Sequence, residues 1–456
     1  MVMEDIAIII MAAGKGKRMK SNLPKTLHKL CGKPILDYIL ETVNQIKAKR
    51  KILVVGHKSE KIKELMRNKI EYVEQLEQLG TAHAVLQTKD LLSNFRGDVL
   101  ILSGDVPLLT TDTIKKLLKY HKAKNYSCTL ISTVLEKPYG YGRIVRDEEG
   151  RITGIIEEAD LPEDKKGIKE INAGIYCFNK IDLFQALGKI IPDNKQKEYY
   201  LTDTVKILLR DGLKVGSIKV DDCKEVLGIN NRIDLVNATR QIHQKVCEYL
   251  MLQGVTIVDP NSTFIDEGVE IGQDSIIYPF TIIEKDSKIG ENCHIGPYSH
   301  LINTRIGKEV KVWASIIEES IIEDEAIIGP YTHIRPGTTI EKGAKIGNFV
   351  EVKKSIVGEG SKASHLTYLG DAVIGKRVNI GAGTITCNYD GEKKNRTIIE
   401  NEVFIGSNNS LVAPLKIGKK SYTGAGSTIT EDVPEGSLAI ARSKQRNIPG
   451  WRKRRK

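Results

Sequence analysis

Apolar and polar positions obey two different rules along this chain, and the rule changes beyond Gly254. Before that point, short aliphatic runs alternate with segments whose apolar residues recur at three- and four-residue spacing. Ile6–Ala13, Lys51–Gly56 and Asp98–Ser103 read as buried strands, and Pro34–Lys47 and Thr110–Lys122 as amphipathic helices. Such alternation predicts an α/β unit with a mostly parallel sheet, of the Rossmann-like kind. Ligands of these sheets bind beyond the carboxyl ends of the strands. The glycine-containing loops after the first strand and at Gly104 fall at such ends. Asn230–Leu252 keeps helical spacing with few breakers and predicts a connecting helix.

After Gly254 an aliphatic residue recurs every six positions, at Ile265, Ile271, Ile277, Ile283, Ile289, Ile295 and Leu301. The register shifts and resumes through Ile316, Ile322, Ile328, Ile334, Ile340, Ile346 and Val352. It returns at Ile374 and Ile380, and again at Ile405, Leu411, Ile417, Thr423 and Ile429. Neither a period of 2 nor one of 3.6 explains this. A hexapeptide repeat does: each rung hides its apolar side only against the next, so many rungs stack into an all-β, left-handed parallel β-helix. The polar stretch Asn388–Thr397 breaks the period and predicts an extruded loop. The domain reading is therefore 1–228, a linker helix at 229–252, and 253–456 with a basic tail.

Composition narrows the functional classes. No apolar run among the 456 residues approaches the roughly 20 a membrane-spanning helix needs. The charges near the amino terminus follow the first apolar run, the reverse of a secretory signal, so a cytoplasmic protein is expected. Seven cysteines stand singly, which argues against a disulfide framework or a zinc knuckle. The net charge is +11, with a compact basic end at 451–456. With 5% aromatic residues and no nucleic-acid-binding signature, phosphorylated small molecules are better partners for this field than nucleic acid.

The first strand leads into AAGKGKRM (12–19), with LPK (23–25) close behind. Small residues let backbone N–H groups approach a phosphate chain, and Lys15, Arg18 and Lys25 can neutralise it. The loop lacks the Walker ending and does not match GxGxxG. It is followed in order by QLGTAH (78–83), GDVPL (104–108), YGYGR (139–143), EINAG (170–174), EYYLTD (198–203) and GINN (228–231). Together, and including the hexapeptide half, these pieces resemble the bifunctional N-acetylglucosamine-1-phosphate uridylyltransferase/glucosamine-1-phosphate N-acetyltransferase family over nearly the whole chain.

That resemblance implies roles. Met11, Ala12, Ala13 and Gly14, with Gly80, Thr81 and Gln75, would embrace the uridine of UTP. Arg18 and Lys25 would lie along the triphosphate as catalytic cations, and Asp105 and Asn230 would hold Mg²⁺. Gly142, Glu157 and Asn172 would contact the sugar. Attack of a sugar phosphate on a nucleotide α-phosphate brings anion toward anion. Positioning and charge neutralisation are therefore needed more than a protein nucleophile. Two residues depart from the family habit: Met11 stands where leucine is usual, and Ser103 where tyrosine is frequent.

A second cluster lies late in the repeat: RPG (335–337), NFVEVK (348–353), SHLTYLGD (364–371), NIGAG (379–383) and Asn388-Tyr389. Acetyl transfer from a thioester to an amine needs a base for the ammonium proton, and histidine suits that task. The resemblance gives His365 this role. It sets Arg335 and Lys353 on the sugar phosphate, with Tyr368, Asn379, Asn388 and Tyr389 around the acceptor and the reacting centre. Ala382, Ser407, Ala425 and Arg442, beside Asn388 and Tyr389, would border acetyl-CoA. A homotrimer is implied, with acetyl-transfer sites between subunits, and the product would feed cell-wall precursors. Two other readings stay open: a sugar-1-phosphate uridylyl- or thymidylyltransferase whose β-helix only oligomerises, and a catalytically silent regulatory subunit.

Overall fold

The computed structural model describes residues 5–56, 59–65 and 70–454. The chain divides into two compact units, Met1–Ile242 and His243–Lys456, and the helix Arg232–Leu252 starts in the first and ends in the second.

The first unit is built on a twisted sheet. Its main strands run, in spatial order, Val215–Lys219, Cys128–Val134, Glu170–Asn179, Asp98–Ser103, Ile6–Ala12, Arg50–Val55 and Glu71–Glu74. Neighbours pair in parallel except Glu170–Asn179, which is antiparallel to both of its own. The first strand reads IAIIIMA because both of its faces are covered. Ile8 and Ile10 pack with Leu36 and Leu117, from the helices Ile35–Asn44 and Thr111–Lys124. Ala7 and Ile9 pack on the other side with Val85 and Val205. The strands expected at Ile6, Lys51 and Asp98 and the helices expected at Pro34 and Thr110 are all present; Asp98–Ser103 has the expected bounds, and the ends of the others differ by at most three residues. Register aligns Met11 with Ser103, so the carboxyl ends of the two central strands lie side by side.

At the opposite edge of this sheet, Asp98, His121 and Cys177 converge. The His121 Nδ1 lies 2.8 Å from Thr129 Oγ1 and its Nε2 lies 3.6 Å from Asp98 Oδ1. Burial, with Asp98 nearby, pushes the Cys177 thiol far up, so it keeps its proton and the trio is a packed polar contact.

The second unit is a left-handed parallel β-helix of hexapeptide rungs. Its strands are mostly two or three residues long, and each pairs in parallel with the one a full coil later, as Ile265 does with Ile283 and Ile283 with Leu301. Inward aliphatics form one continuous core from Val255 to Val433. The expected inward position at Ile316 is corrected: Ile316 is 43% exposed, whereas Ile317 is wholly buried and pairs with Leu301. Between 301 and 322 the inward residues are Leu301, Ile306, Val312, Ile317 and Ile322, so several sides shorten to five residues. With isoleucine at both 316 and 317, hydrophobicity alone does not distinguish them.

Two longer strands, Lys345–Lys353 and Lys362–Gly370, run in register around one corner of the coil. The chain leaves the ladder after Cys387 and rejoins it at Thr397, enclosing an exposed excursion bridged between Tyr389 and Lys394. Asp390 organises it by accepting from the backbone N–H groups of Glu392 and Lys393, which hold its carboxyl down at about 2. Trp451–Arg454 form a 3-10 turn, and the last two basic residues lie outside the described residues. No helix among the described residues is long and apolar enough to cross a membrane.

Candidate active sites

In the first unit an open cavity of about 880 Å³ lies at the carboxyl edge of the sheet. Met11, Ala12, Ala13, Gly14, Arg18 and Lys25 border it on one side, and Gln75, Gly80 and Thr81 on another. Gly16 has φ +58°, and a Cβ there would sit 3.0 Å from Lys25 Cβ. Glycine therefore lets the lysine segment close against the loop. Gln75 is fixed because its Nε2 donates to the Gly80 carbonyl at 3.0 Å. Thr81 Oγ1 accepts from the Leu201 N–H at 2.9 Å. His83 is flanked by the side-chain amides of Gln75 and Gln87, each 3.1 Å from a ring nitrogen, and so braces the loop.

Lys25 pairs with Asp105 Oδ2 and approaches Asn230 Oδ1 at 3.5 Å, while Arg18 Nη2 donates to that same amide oxygen at 2.8 Å. Burial works to raise the Asp105 carboxyl, but the Lys25 pair and the Ser103 hydroxyl outweigh it and hold it below the usual range. Asp105 and Asn230 thus present two hard oxygens a short span apart, each already facing a cation.

An adjoining pocket of about 190 Å³ shares Met11, Ser103 and Asp105 with the larger one and adds Gly142, Asn172 and Asn230. Glu157 borders both, and its Oε1 accepts from Thr202 Oγ1 at 2.9 Å. Burial, with Asp203 and Asp160 nearby, raises its carboxyl despite that bond. Asn172 is locked by donating to Tyr176 Oη at 2.7 Å. A Cβ on Gly142 would stand 3.4 Å from Glu157 Oε2, so glycine leaves that carboxylate open to the pocket.

On the β-helix, backbone register sets Asn348 beside His365, and His365 in line with Ala382, Ser407 and Ala425 on successive coils. An exposed imidazole therefore heads a gutter of small side chains, and Arg442 reaches within 3.9 Å of where a Cβ on Gly426 would stand, at the gutter's far end. Past the corner, Glu351 aligns with Tyr368, and Arg335 pairs with Glu351 at 2.8 Å. Lys394, from the extruded loop, crowds Lys353 and lowers its ammonium, with Arg335 adding to the effect. Asn388 is buried, its Nδ2 donating to Asp371 Oδ2 at 2.6 Å and lying 3.5 Å from Tyr368 Oη. The Tyr389 hydroxyl is spent inside its own loop, on the Gly391 carbonyl.

Residues 7–224 match the nucleotidyl transferase family model. Residues 268–303 and 319–354 match the bacterial transferase hexapeptide model, and 396–431 the hexapeptide repeat of succinyl-transferase. The bifunctional protein GlmU of Acetivibrio thermocellus is 49% identical over 449 residues, covering 98% of this chain and 97% of that protein. Its namesake in Caldanaerobacter subterraneus is 48% identical over 98% of each chain, and one in Listeria monocytogenes 45% identical over 98% and 97%. The chain belongs to the bifunctional GlmU family. The two activities implied by its motifs, N-acetylglucosamine-1-phosphate uridylyl transfer and glucosamine-1-phosphate N-acetyl transfer, are those of GlmU. The chain is accordingly a bifunctional transferase with nucleotide and acetyl-CoA substrates.

Set against the GlmU reading, the first unit gathers every expected residue around two joined cavities. The β-helix does not: Arg335, Lys353 and Tyr368 lie on one face, Asn379 on the adjoining face, and His365 on the corner between. Outward side chains on two faces diverge, so they do not converge on one small acceptor within a single chain. Two polar residues at these GlmU sites were missed in the sequence. Lys394 was hidden in a polar loop whose lysines looked merely solvated. Ser103 passed for a tolerable substitution, although its position two residues before Asp105 was a signal.

Proposed function

We propose that the chain makes UDP-N-acetylglucosamine in two steps, division of labour following 1–228, a linker at 229–252, and 253–456. The β-helix acetylates glucosamine-1-phosphate from acetyl-CoA, and the first unit then joins the product to UTP, releasing pyrophosphate. The paired cations and hard oxygens at Lys25, Asp105, Arg18 and Asn230 carry the second reading. Magnesium fits this donor set: a carboxylate and an amide oxygen suffice for an ion that keeps several waters, and both oxygens already face cationic side chains. When bound, it would supply charge neutralisation at the phosphates. Arg18 and Lys25 serve the triphosphate, Met11–Gly14, Gln75, Gly80 and Thr81 hold uridine, and Gly142, Glu157 and Asn172 hold the sugar.

For acetyl transfer, His365 takes the ammonium proton. Arg335 and Lys353, with Lys394, receive the sugar phosphate, and Tyr368, Asn379, Asn388 and Tyr389 border the acceptor. Acetyl-CoA lies along Ala382, Ser407 and Ala425 toward Arg442. Two observations support the homotrimer. The acceptor residues are split across a corner, so a second copy is needed to complete the site. That corner also carries Phe280, Tyr298, Tyr331, Phe349 and Leu366, all exposed and all at positive φ. Each bulky residue there costs about 1–3 kcal/mol of backbone strain that glycine would avoid. Two stacked pairs, Phe280–Tyr298 at 5.1 Å and Tyr331–Phe349 at 5.4 Å, make an apolar ridge suited to a second copy of the chain. A cytoplasmic location fits the nucleotide and acetyl-CoA substrates.

The deciding experiment separates the two reactions. His365→Ala should abolish thiol release from acetyl-CoA with glucosamine-1-phosphate while sparing pyrophosphate release, and Asp105→Ala should do the converse. Loss of both activities in either variant refutes the assignment of sites. Phe349→Asp should lower the sedimentation mass from three chains to one.

A further inference from the structure

We propose that Ser103 is a positioning residue for the divalent cation, holding the Asp105 carboxylate in the rotamer that offers Oδ2 to the metal. The proposal rests on the reading of Asp105 as a metal ligand. Ser103 closes the strand Asp98–Ser103, where pairing with Met11 fixes its backbone. Its Oγ donates to Asp105 Oδ1 at 2.6 Å, the short length of a charge-assisted bond. The other oxygen, Oδ2, is left to Lys25. Behind Oδ1 stands Gly228, where a Cβ would lie 3.4 Å away, so with no side chain there the hydrogen bond from Ser103, and not packing, keeps this oxygen in place.

Two side chains hold this carboxylate among the described residues, and they differ in permanence. Lys25 is also needed by an incoming triphosphate, and a cation entering at Oδ2 competes with it directly. Once the ammonium turns to phosphate, the Ser103 hydroxyl is the remaining side-chain constraint on the Asp105 rotamer. Groups that orient a metal ligand through a hydrogen bond raise its affinity by lowering the cost of ordering it. A tyrosine here would carry its hydroxyl at the far end of a ring and would not reach a carboxylate two residues on in the same way. The device thus belongs to the serine.

Mn²⁺ is the probe, titrated into the full-length protein in the presence of UDP-N-acetylglucosamine and followed by the electron paramagnetic resonance of the free ion. Ser103→Ala should weaken Mn²⁺ binding by about 10–100-fold, the usual effect of losing such a bond. Ser103→Thr, which keeps the hydroxyl, should stay within about threefold of wild type. A thermal unfolding transition of the first unit that matches wild type in each variant reports that this unit has folded. Equal Mn²⁺ affinity in wild type and Ser103→Ala, with Asp105→Ala no longer binding, overturns the role of Ser103 alone. If Asp105→Ala binds as wild type does, or wild type binds no Mn²⁺, the ligand reading beneath it fails as well.

Discussion

Lys25 rests its ammonium on the Asp105 carboxylate inside the open cavity of the first unit, on the oxygen that the proposed divalent cation would take. Arg18 does the same for Asn230 at 2.8 Å. Both cations are therefore held by oxygens of the site itself, and an incoming phosphate would compete for them. Two unit charges about 4 Å apart attract by roughly 4 kcal/mol at an effective dielectric constant near 20, so the competition is substantial.

Removing the lysine should consequently split two properties that normally move together. Lys25→Ala should bind Mn²⁺ more tightly than wild type in the absence of nucleotide, by about tenfold or more, a gain near 1.4 kcal/mol. Its kcat for uridylyl transfer should fall by about 10²–10³-fold, as when a preorganised donor to developing charge is deleted. Metal titration and pyrophosphate release measure the two. Unchanged Mn²⁺ affinity would mean that the lysine does not occupy the metal's place.

Glu157 supplies the pH-dependent case. Its carboxyl is raised by burial, with Asp203 and Asp160 adding, so the folded protein binds its proton more tightly than the unfolded chain does. The sign follows: the group costs stability above its folded pKa, and the cost disappears as pH falls below the unfolded value of about 4.3. Glu157→Gln keeps an acceptor for Thr202 and should unfold at a higher temperature than wild type at pH 7–8, with the gap closing near pH 4. The KM for the sugar phosphate should rise by about tenfold, the scale of one charged hydrogen bond. Thermal unfolding across pH, with kinetics at pH 8, tests both halves.

The β-helix offers a matched pair at neighbouring positions. Ile322 is 1% exposed in the stacked core, whereas Ile321 is 45% exposed on the outer surface. Ile322→Ala should cost about 2–5 kcal/mol, through lost burial and the cavity left behind. Ile321→Ala should stay within about 0.5 kcal/mol. Urea unfolding of the full chain, monitored for the second unit, should separate them. Similar losses would mean that the inward register is misassigned.

What the sequence disclosed depended on whether it carried a period. The six-residue recurrence revealed the coil because every inward position repeats the same demand. It failed at Ile316, where two adjacent isoleucines left hydrophobicity indifferent to a one-residue slip. In the first unit, motif order brought Lys25, Asp105 and Asn230 into one reading although more than 200 residues separate the first from the last. What stayed hidden was side-chain partnership: Ser103 on Asp105 at 2.6 Å, and Lys394 against Lys353. Such pairs depend on rotamers and loop paths that composition does not encode. The splitting of acceptor residues across a corner was hidden for another reason, because it becomes visible only when faces are assigned.

The gutter below His365 makes the last test. Ala382, Ser407 and Ala425 occupy one register position on three successive coils, and each has a small side chain at a surface where larger ones would fit without strain on the core. A pantetheine arm delivering a thioester toward the imidazole needs such a continuous shallow path, and one bulky residue in the middle would interrupt it. Ser407→Leu should therefore raise the KM for acetyl-CoA by at least about tenfold, as a steric block costing some 1.4 kcal/mol or more. The KM for glucosamine-1-phosphate should move little, because Arg335 and Lys353 lie on the other side of the corner. Stability should change by no more than about 0.5 kcal/mol, since position 407 is exposed. Uridylyl transfer by the same protein serves as the internal control. An unaltered acetyl-CoA dependence would mean that the thioester reaches His365 along a different surface.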